Sequence, residues 1–518
     1  MRKQLLVTLT SVLFISVCAI AQRPPSPGRD RMATSSDPAY QNPLPPSKKA
    51  VLAPDSTVIT RHSSVIRGAS IPYTAYAGTL PVYNEEGSPI AGVFYTYYER
   101  EGIEDRTKRP LLISFNGGPG TASLWMEIGY TGPRLLQIDD EGNPIQPYGM
   151  RDNPYSLLDE ADIVYVDPVN TGYSRKTGKD VPGSLFFGVN EDIKYLAQWI
   201  SLFVTRYNRW KSPKFIIGES YGTTRVSGLA LELQKTQFMY LNGVILVSPT
   251  TLGIDRPGPL AGALKTPYFA ATAWYHKQLA PEYQQKKIED FLPEVENFTI
   301  NELLPALAKG GMLDKASRAA VAGKLAKYTG VEAAVYTANN LDLSSQQFWK
   351  ELLRKQGHTI GRLDSRYLGL DKKNAGEVND YNPEQTEWNN AFSPAMNDYL
   401  KNELGYKTDL KYYVFGPVRP WNQENNNTGN DLGDAMRQNP ALHLLVQSGY
   451  YDGACDFFNA KYSMWQIDQA GNLQDRMEWA GYESGHMMYL RMKDRIKATE
   501  KLRAFIKSAI NFGSPIKY

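Results

Sequence analysis

Hydrophobic positions change rhythm three times along this chain. Residues 71–76 and 91–98 are runs of β-branched and aromatic residues bounded by Gly, Pro and Asn, and they predict strands. Shorter, uninterrupted apolar runs follow at 110–115, 162–166, 214–217, 243–247 and 442–447, with helical patterns between them at 190–206 and 224–235. An uninterrupted apolar run is what a strand buried on both faces shows, and strands alternating with helices predict a mostly parallel sheet of the α/β class. From about 253 to 410 the strand rhythm stops. Segments 281–292, 299–308, 315–328 and 345–357 read as helices, which predicts a helical cap inserted at the carboxyl edge of the sheet, where loops govern access to a site.

The amino terminus has a different character. Arg2 and Lys3 precede an apolar stretch from Leu5 to Cys18, and Ala19-Ile20-Ala21 supplies small residues for cleavage, so residues 1–21 read as an export signal. The stretch is short for a bilayer span, and Val17 stands where a lipoprotein signal carries a small residue. Residues 22–55, rich in Pro, Ser, Asp and Lys, read as a disordered linker, and residues 56–518 as the folded domain. Cleavage after Ala21 leaves Cys455 as the single cysteine, so no internal disulfide forms, and a bacterial periplasmic or extracellular location fits. The net charge of +3 comes without a basic cluster, which argues against a nucleic-acid partner. No Cys/His cluster, H-E-x-x-H spacing, P-loop or dinucleotide glycine motif appears, so neither metal nor cofactor is expected.

The candidate chemistry starts at Gly218-Glu219-Ser220-Tyr221-Gly222, which follows a short apolar run and precedes a helix. Strand, tight turn and helix form the setting of a G-x-S-x-G nucleophile elbow, making Ser220 the candidate nucleophile and the fold an α/β hydrolase. In that fold the acid and then the histidine follow the serine. Of the five histidines, His62 precedes Ser220, His276 and His358 fall in the cap, and His443 sits in a strand run. His486 stands in a loop near the carboxyl terminus and is the candidate general base. Asp452, in the turn after the run at 442–447, is the candidate acid, with Asp456 a near rival. An oxyanion hole needs two backbone N–H groups. Tyr221 supplies one, and Gly118 of Asn116-Gly117-Gly118-Pro119-Gly120 the other.

Taken together, the motifs resemble the serine carboxypeptidase family of carboxypeptidase Y and cathepsin A. The resemblance rests on Asn116 to Gly120 with Ser123-Leu124 and Gly132-Pro133, on Asn153-Pro154-Tyr155-Ser156, on the Gly-Glu-Ser-Tyr elbow, on Asp452-Gly453-Ala454-Cys455 and on Gly485-His486-Met487. It implies Asp452 rather than Asp456 as the acid, and a peptide with a free terminal carboxylate as substrate. It further implies a substrate-binding set of Asn116, Gly117, Glu219, Tyr130, Cys455 and Met487, in which Asn116 and Glu219 hold the carboxylate. Tyr130 occupies the position where the family carries a second glutamate, with Glu127 one helical turn earlier. An esterase or acyltransferase on the same scaffold is the second reading, and a catalytically inactive binding protein the third.

Overall fold

The computed structural model describes residues 52–515 and residue 517. The expected signal at 1–21, and residues 22–51 of the expected linker, lie outside the described residues. The last four residues of that segment join the domain: the Ala53 carbonyl accepts the Thr79 hydroxyl at 2.6 Å, and Asp55 accepts two hydrogen bonds from Arg206 at 2.8 and 2.9 Å.

One sheet organises residues 56–482. Its strands in chain order are β1 (Ser56–Ile66), β2 (Ala69–Tyr83), β3 (Pro89–Arg100), β4 (Leu111–Phe115), β5 (Asp162–Val166), β6 (Arg175–Lys176), β7 (Lys214–Glu219), β8 (Gly243–Val247), β9 (His443–Gly449) and β10 (Met477–Tyr482). Their order across the sheet is β1-β2-β3-β5-β4-β7-β8-β9-β10, with β6 beside β3. Pairing is antiparallel from β1 to β5 and parallel from β5 onward. The aromatic, long strands therefore form the antiparallel edge, and the short apolar runs form the parallel centre.

Both faces of that centre are buried. Leu111, Ile113 and Phe115 of β4 pack into one core with the helices α1 (Val189–Arg206) and α2 (Tyr221–Thr236), while Leu112 packs into the opposite core. Successive side chains of a strand point to opposite faces, so a strand covered on both sides has no polar position to spare. Charge is admitted at the amino ends of the strands: Asp162, the first residue of β5, is buried and accepts from Arg109 at 3.0 Å and Arg209 at 2.6 Å.

The cap leaves the sheet after β8. Helices α3 (Thr266–Tyr275), α4 (Ile288–Phe298) and α5 (Lys315–Thr329) surround a core of their own that includes Phe269, Phe291, Leu292, Val295 and Leu325. Expected and observed helices differ in detail. The 281–292 segment is split into Pro281–Gln284 and α4, and the 299–308 segment begins as a π-turn, Thr299–Leu303. The 345–357 segment holds an α-helix only over Ser345–Glu351, opened by a capping box between Ser344 and Gln347. Helix α6 (Pro383–Asp398) leaves the cap core and buries Trp388, Phe392 and Met396 against the sheet. Helices α7 (Thr428–Gln438), α8 (Phe457–Ile467) and α9 (Met492–Ser508) complete the two layers. Among the described residues, no helix is long and apolar enough to cross a membrane.

Candidate active site

Strand β7 ends at Glu219 and α2 begins at Tyr221, so a single residue reverses the chain. That residue, Ser220, adopts φ 58° and ψ −127°. A non-glycine residue in such a conformation costs about 1–3 kcal/mol and persists only where its surroundings hold it. Here the Ser220 N–H donates to the Val247 carbonyl at 3.0 Å, and the Ser220 carbonyl accepts the Thr223 N–H at 2.9 Å and its hydroxyl at 2.6 Å. The turn is tight enough that a Cβ on Gly218 would stand 2.1 Å from the Gly222 carbonyl oxygen. The loop after β4 comes equally close: a Cβ on Gly117 would stand 2.4 Å from the Tyr221 nitrogen. The N–H of Tyr221, at the first position of α2, has no carbonyl to bond within the helix. That of Gly118 (φ 102°) makes no hydrogen bond among the described residues. Two free N–H groups on adjoining loops are what an oxyanion site requires.

Register places the next pair. Strands β4 and β7 run parallel with Phe115 opposite Gly218, so Asn116 and Glu219 emerge side by side at their carboxyl ends. The Asn116 amide donates to Glu219 Oε1 at 3.1 Å, and its own oxygen accepts the Met126 N–H at 3.1 Å, which fixes the amide's orientation. Tyr489 donates its hydroxyl to the other Glu219 oxygen. Burial pushes the Glu219 carboxyl up to about 7, against the pull of His486 and of the Tyr489 hydrogen bond. It therefore exchanges its proton near neutrality.

The acid and the base come from the two strands beyond β8. Asp452 follows β9 and His486 follows β10, and His486 Nδ1 lies 2.7 Å from Asp452 Oδ2. The other Asp452 oxygen accepts the N–H groups of Ala454 and Cys455, both at 2.9 Å. Burial opposes the imidazolium, but the Asp452 carboxylate outweighs it and holds the His486 pKa above its ordinary value. The loop carrying His486 is tied on two sides. Its N–H donates to the Leu363 carbonyl at 2.7 Å, and its carbonyl accepts the Ser248 hydroxyl at 2.7 Å. Asp456 stands apart from this pair, capping α8 through the Asn459 N–H at 2.9 Å.

Ser220, His486, Glu219, Gly117, Gly118, Tyr221, Asn116, Cys455 and Met487 all face one cavity of about 850 Å³, walled also by Trp125, Trp388 and Trp421. The Cys455 thiol is driven well above its usual range by burial and has the Ser220 hydroxyl as a hydrogen-bonding neighbour. No hydrogen bond joins Ser220 Oγ to His486 Nε2 here, and contacts of this kind commonly close only around a substrate.

Tyr130 departs from its expected place. Residues Glu127–Thr131 form a π-turn, and the fully buried Tyr130 donates its hydroxyl to Gln447 at 2.8 Å rather than facing the cavity. Glu127 does not take over: it is buried, accepts the Tyr98 hydroxyl at 2.5 Å, and burial pushes its carboxyl up to about 8. The group beside Glu219 is instead Tyr489, which stacks on Tyr130 at a centroid distance of 4.6 Å. Tyr489 lies outside the motifs that the sequence offers, and its spacing of three from His486 is the available signal. The remaining histidines lie elsewhere, His62 stacked on Tyr73 and His276 bonded to the Ser365 carbonyl at 2.6 Å.

A mostly parallel sheet with a nucleophile elbow at the end of a central strand defines an α/β-hydrolase fold. Among solved structures, a prohormone-processing carboxypeptidase of Saccharomyces cerevisiae, KEX1(DELTA)P, superposes with a TM-score of 0.51 at 13% identity, covering 84% of this chain and 92% of that one. The serine carboxypeptidase family model matches residues 68–497, and the chain belongs to that family. Curated relatives include "Serine carboxypeptidase-like 20" of Arabidopsis thaliana, 28% identical over 184 residues, 35% of this chain and 34% of the relative. "Carboxypeptidase Y homolog A" of Pyrenophora tritici-repentis (strain Pt-1C-BFP) is 29% identical over 171 residues, 32% of this chain and 28% of the relative. The chain thus spans about a third of the length of the curated relatives it matches.

Proposed function

We propose that the protein is a serine carboxypeptidase that hydrolyses the last peptide bond of a polypeptide, with Ser220 as nucleophile, His486 as general base and Asp452 as its partner. The observation that carries this reading is the placement of the Asn116–Glu219 pair on the same two strand ends as the oxyanion loop and the elbow. A serine hydrolase of any kind needs the elbow, but a buried carboxyl beside the nucleophile serves a substrate that brings a carboxylate of its own. Protonated, Glu219 donates a hydrogen bond to that carboxylate; ionised, it repels it.

In this mechanism His486 Nε2 takes the Ser220 proton as Oγ attacks the scissile carbonyl, and Asp452 holds the Nδ1–H tautomer and stabilises the imidazolium. The oxyanion is received by the N–H groups of Gly118 and Tyr221. His486 then passes its proton to the departing amine, leaving an acyl-enzyme on Ser220. A water molecule deprotonated by the same imidazole releases the shortened peptide and restores the serine hydroxyl. Export by the segment at 1–21 belongs to the same proposal, supported by its charged, apolar and small-residue regions.

The test is release of single amino acids from amino-blocked dipeptides, free or amidated at the carboxyl end, by the wild-type protein and Ser220→Ala. Release from free acids only, lost in Ser220→Ala, is expected. Activity surviving in Ser220→Ala overturns the assignment. The placement of Tyr130 away from the cavity favours an esterase or acyltransferase as the second reading, which faster turnover of small esters than of every free-acid peptide would establish.

A further inference from the structure

The cavity around Ser220 contains two arginines that the carboxypeptidase reaction does not use. Arg362 and Arg419 line it, and the only carboxyl-bearing residue among its lining is Glu219, already held by Asn116 and Tyr489. Among the described residues neither arginine forms an ion pair, whereas Arg109, Arg209, Arg225 and Arg366 elsewhere in the chain do. With the chain's net charge only +3, two unpaired cations in one cavity are not a reflection of a basic surface.

The two arginines reach the cavity from different segments of the chain. Arg362 belongs to the end of the cap, where its carbonyl accepts the Gly453 N–H at 3.0 Å and the next carbonyl accepts the His486 N–H at 2.7 Å. Its backbone is thereby clamped between the Asp452 loop and the His486 loop, and its charge is felt by both Cys455 and His486. Glu384 of the cap, whose carboxyl feels the Arg362 charge, is buried with one oxygen occupied by the Leu363 N–H at 2.7 Å. Arg419 lies in the segment that pairs with the glycine loop: the Gly416 N–H donates to the Gly120 carbonyl at 2.7 Å, and Val418 packs over Gly120. Both side chains are exposed to the cavity rather than covered.

We infer that Arg362 and Arg419 recognise a second carboxylate on the substrate, so that the enzyme favours peptides with Asp or Glu at the last or next-to-last position. This rests on the carboxypeptidase reading, in which the terminal carboxylate is taken by Asn116 and Glu219. A guanidinium at the mouth of a partly desolvated site gains a charge-assisted, bidentate partner from a carboxylate and nothing comparable from an amide.

The experiment compares kcat/KM for amino-blocked dipeptides that differ only as Glu or Gln, at the last and at the penultimate position, each as free acid and as amide. The free-acid Glu peptide is expected to exceed its Gln counterpart about tenfold at one of the two positions, a 1.4 kcal/mol discrimination. Arg362→Gln and Arg419→Gln should each reduce that ratio, and Arg362→Glu should invert it in favour of Gln, with the Gln peptide as the internal reference for every enzyme. Raising salt on the wild-type protein should shrink the ratio as well, a readout that does not depend on any variant folding. A Glu:Gln ratio at or below one at both positions, with the peptides hydrolysed, overturns this inference and leaves the carboxypeptidase reading intact. A preference for Glu that persists only in amidated peptides would mean that the arginines serve the terminal carboxylate instead, and would equally overturn it. No release from any peptide would reject the underlying reading.

Discussion

Tyr489 donates its hydroxyl to Glu219 while its ring lies flat on Tyr130, at an interplanar angle of 8°. Two hydrogen-bond donors, Asn116 and Tyr489, therefore grip the one buried carboxyl in the cavity, with His486 and Asp452 adding opposed charges nearby. The first three of these pull its pKa down, and burial and Asp452 push it up, to about 7. The kcat/KM for free-acid peptides should then fall above pH about 7, as Glu219 loses its proton and repels the substrate carboxylate. The limb should be absent with amides or small esters. Tyr489→Phe removes one influence that favours ionisation, so the limb should move to higher pH; pH–rate profiles of the two enzymes decide this.

Asp452 makes three hydrogen bonds, of which only one goes to His486. Asp452→Asn keeps the shape but presents an amide where the imidazole N–H needs an acceptor, and kcat should drop on the order of 10⁴-fold. A circular dichroism spectrum and a melting curve close to wild type would locate the loss in the chemistry.

The contact between Gly117 and the Tyr221 nitrogen leaves no space for a methyl group. Gly117→Ala should push the glycine loop off the elbow and misplace an oxyanion donor, lowering kcat by about 10²–10³ with KM little changed. A kcat within a factor of three of wild type would show that the two loops do not form one site.

Three further buried carboxyls are held protonated near neutrality by burial: Glu127 is raised from 4.5 to about 8, Asp167 from 3.8 to about 7 and Glu384 from 4.5 to about 7. Each binds its proton more tightly in the folded than in the unfolded chain. Their contribution to stability is therefore complete below about pH 4 and is lost as pH rises toward 7–8. Among these groups' effects, Tm should be several degrees higher at pH 5 than at pH 8, and Glu127→Gln should flatten that dependence.

The parallel centre of the sheet and the candidate triad were legible because they rest on local signals in a known order. A strand buried on both faces is mostly apolar, and a serine on a one-residue turn needs Gly218 and Gly222 beside it. Asp452 could be found by position, since it follows the strand that the run at 442–447 predicted, and His486 because it is the histidine in a loop after that acid. Tyr130 could not. The family resemblance sets it in the carboxylate site, whereas the π-turn over Glu127–Thr131 and the long-range partner Gln447 take it elsewhere. Arg362 was invisible for a related reason. It lies in the cap, where periodicity predicts helices without saying which residue of a connecting loop returns to the candidate base His486.

That return ties the candidate base to the docking of the cap. The His486 loop is held by Ser248 at the end of β8 and by Leu363 and Asp364 at the end of the cap, the last through the Gly485 N–H at 3.3 Å across 121 residues of sequence. Contacts between the cap and this loop depend on tertiary packing and not on neighbouring sequence, so they exist only once the cap has docked. A chain that has built its sheet and its elbow but not yet docked its cap has the serine without a positioned base. On the carboxypeptidase reading, a positioned base therefore requires the docked cap as well as the sheet.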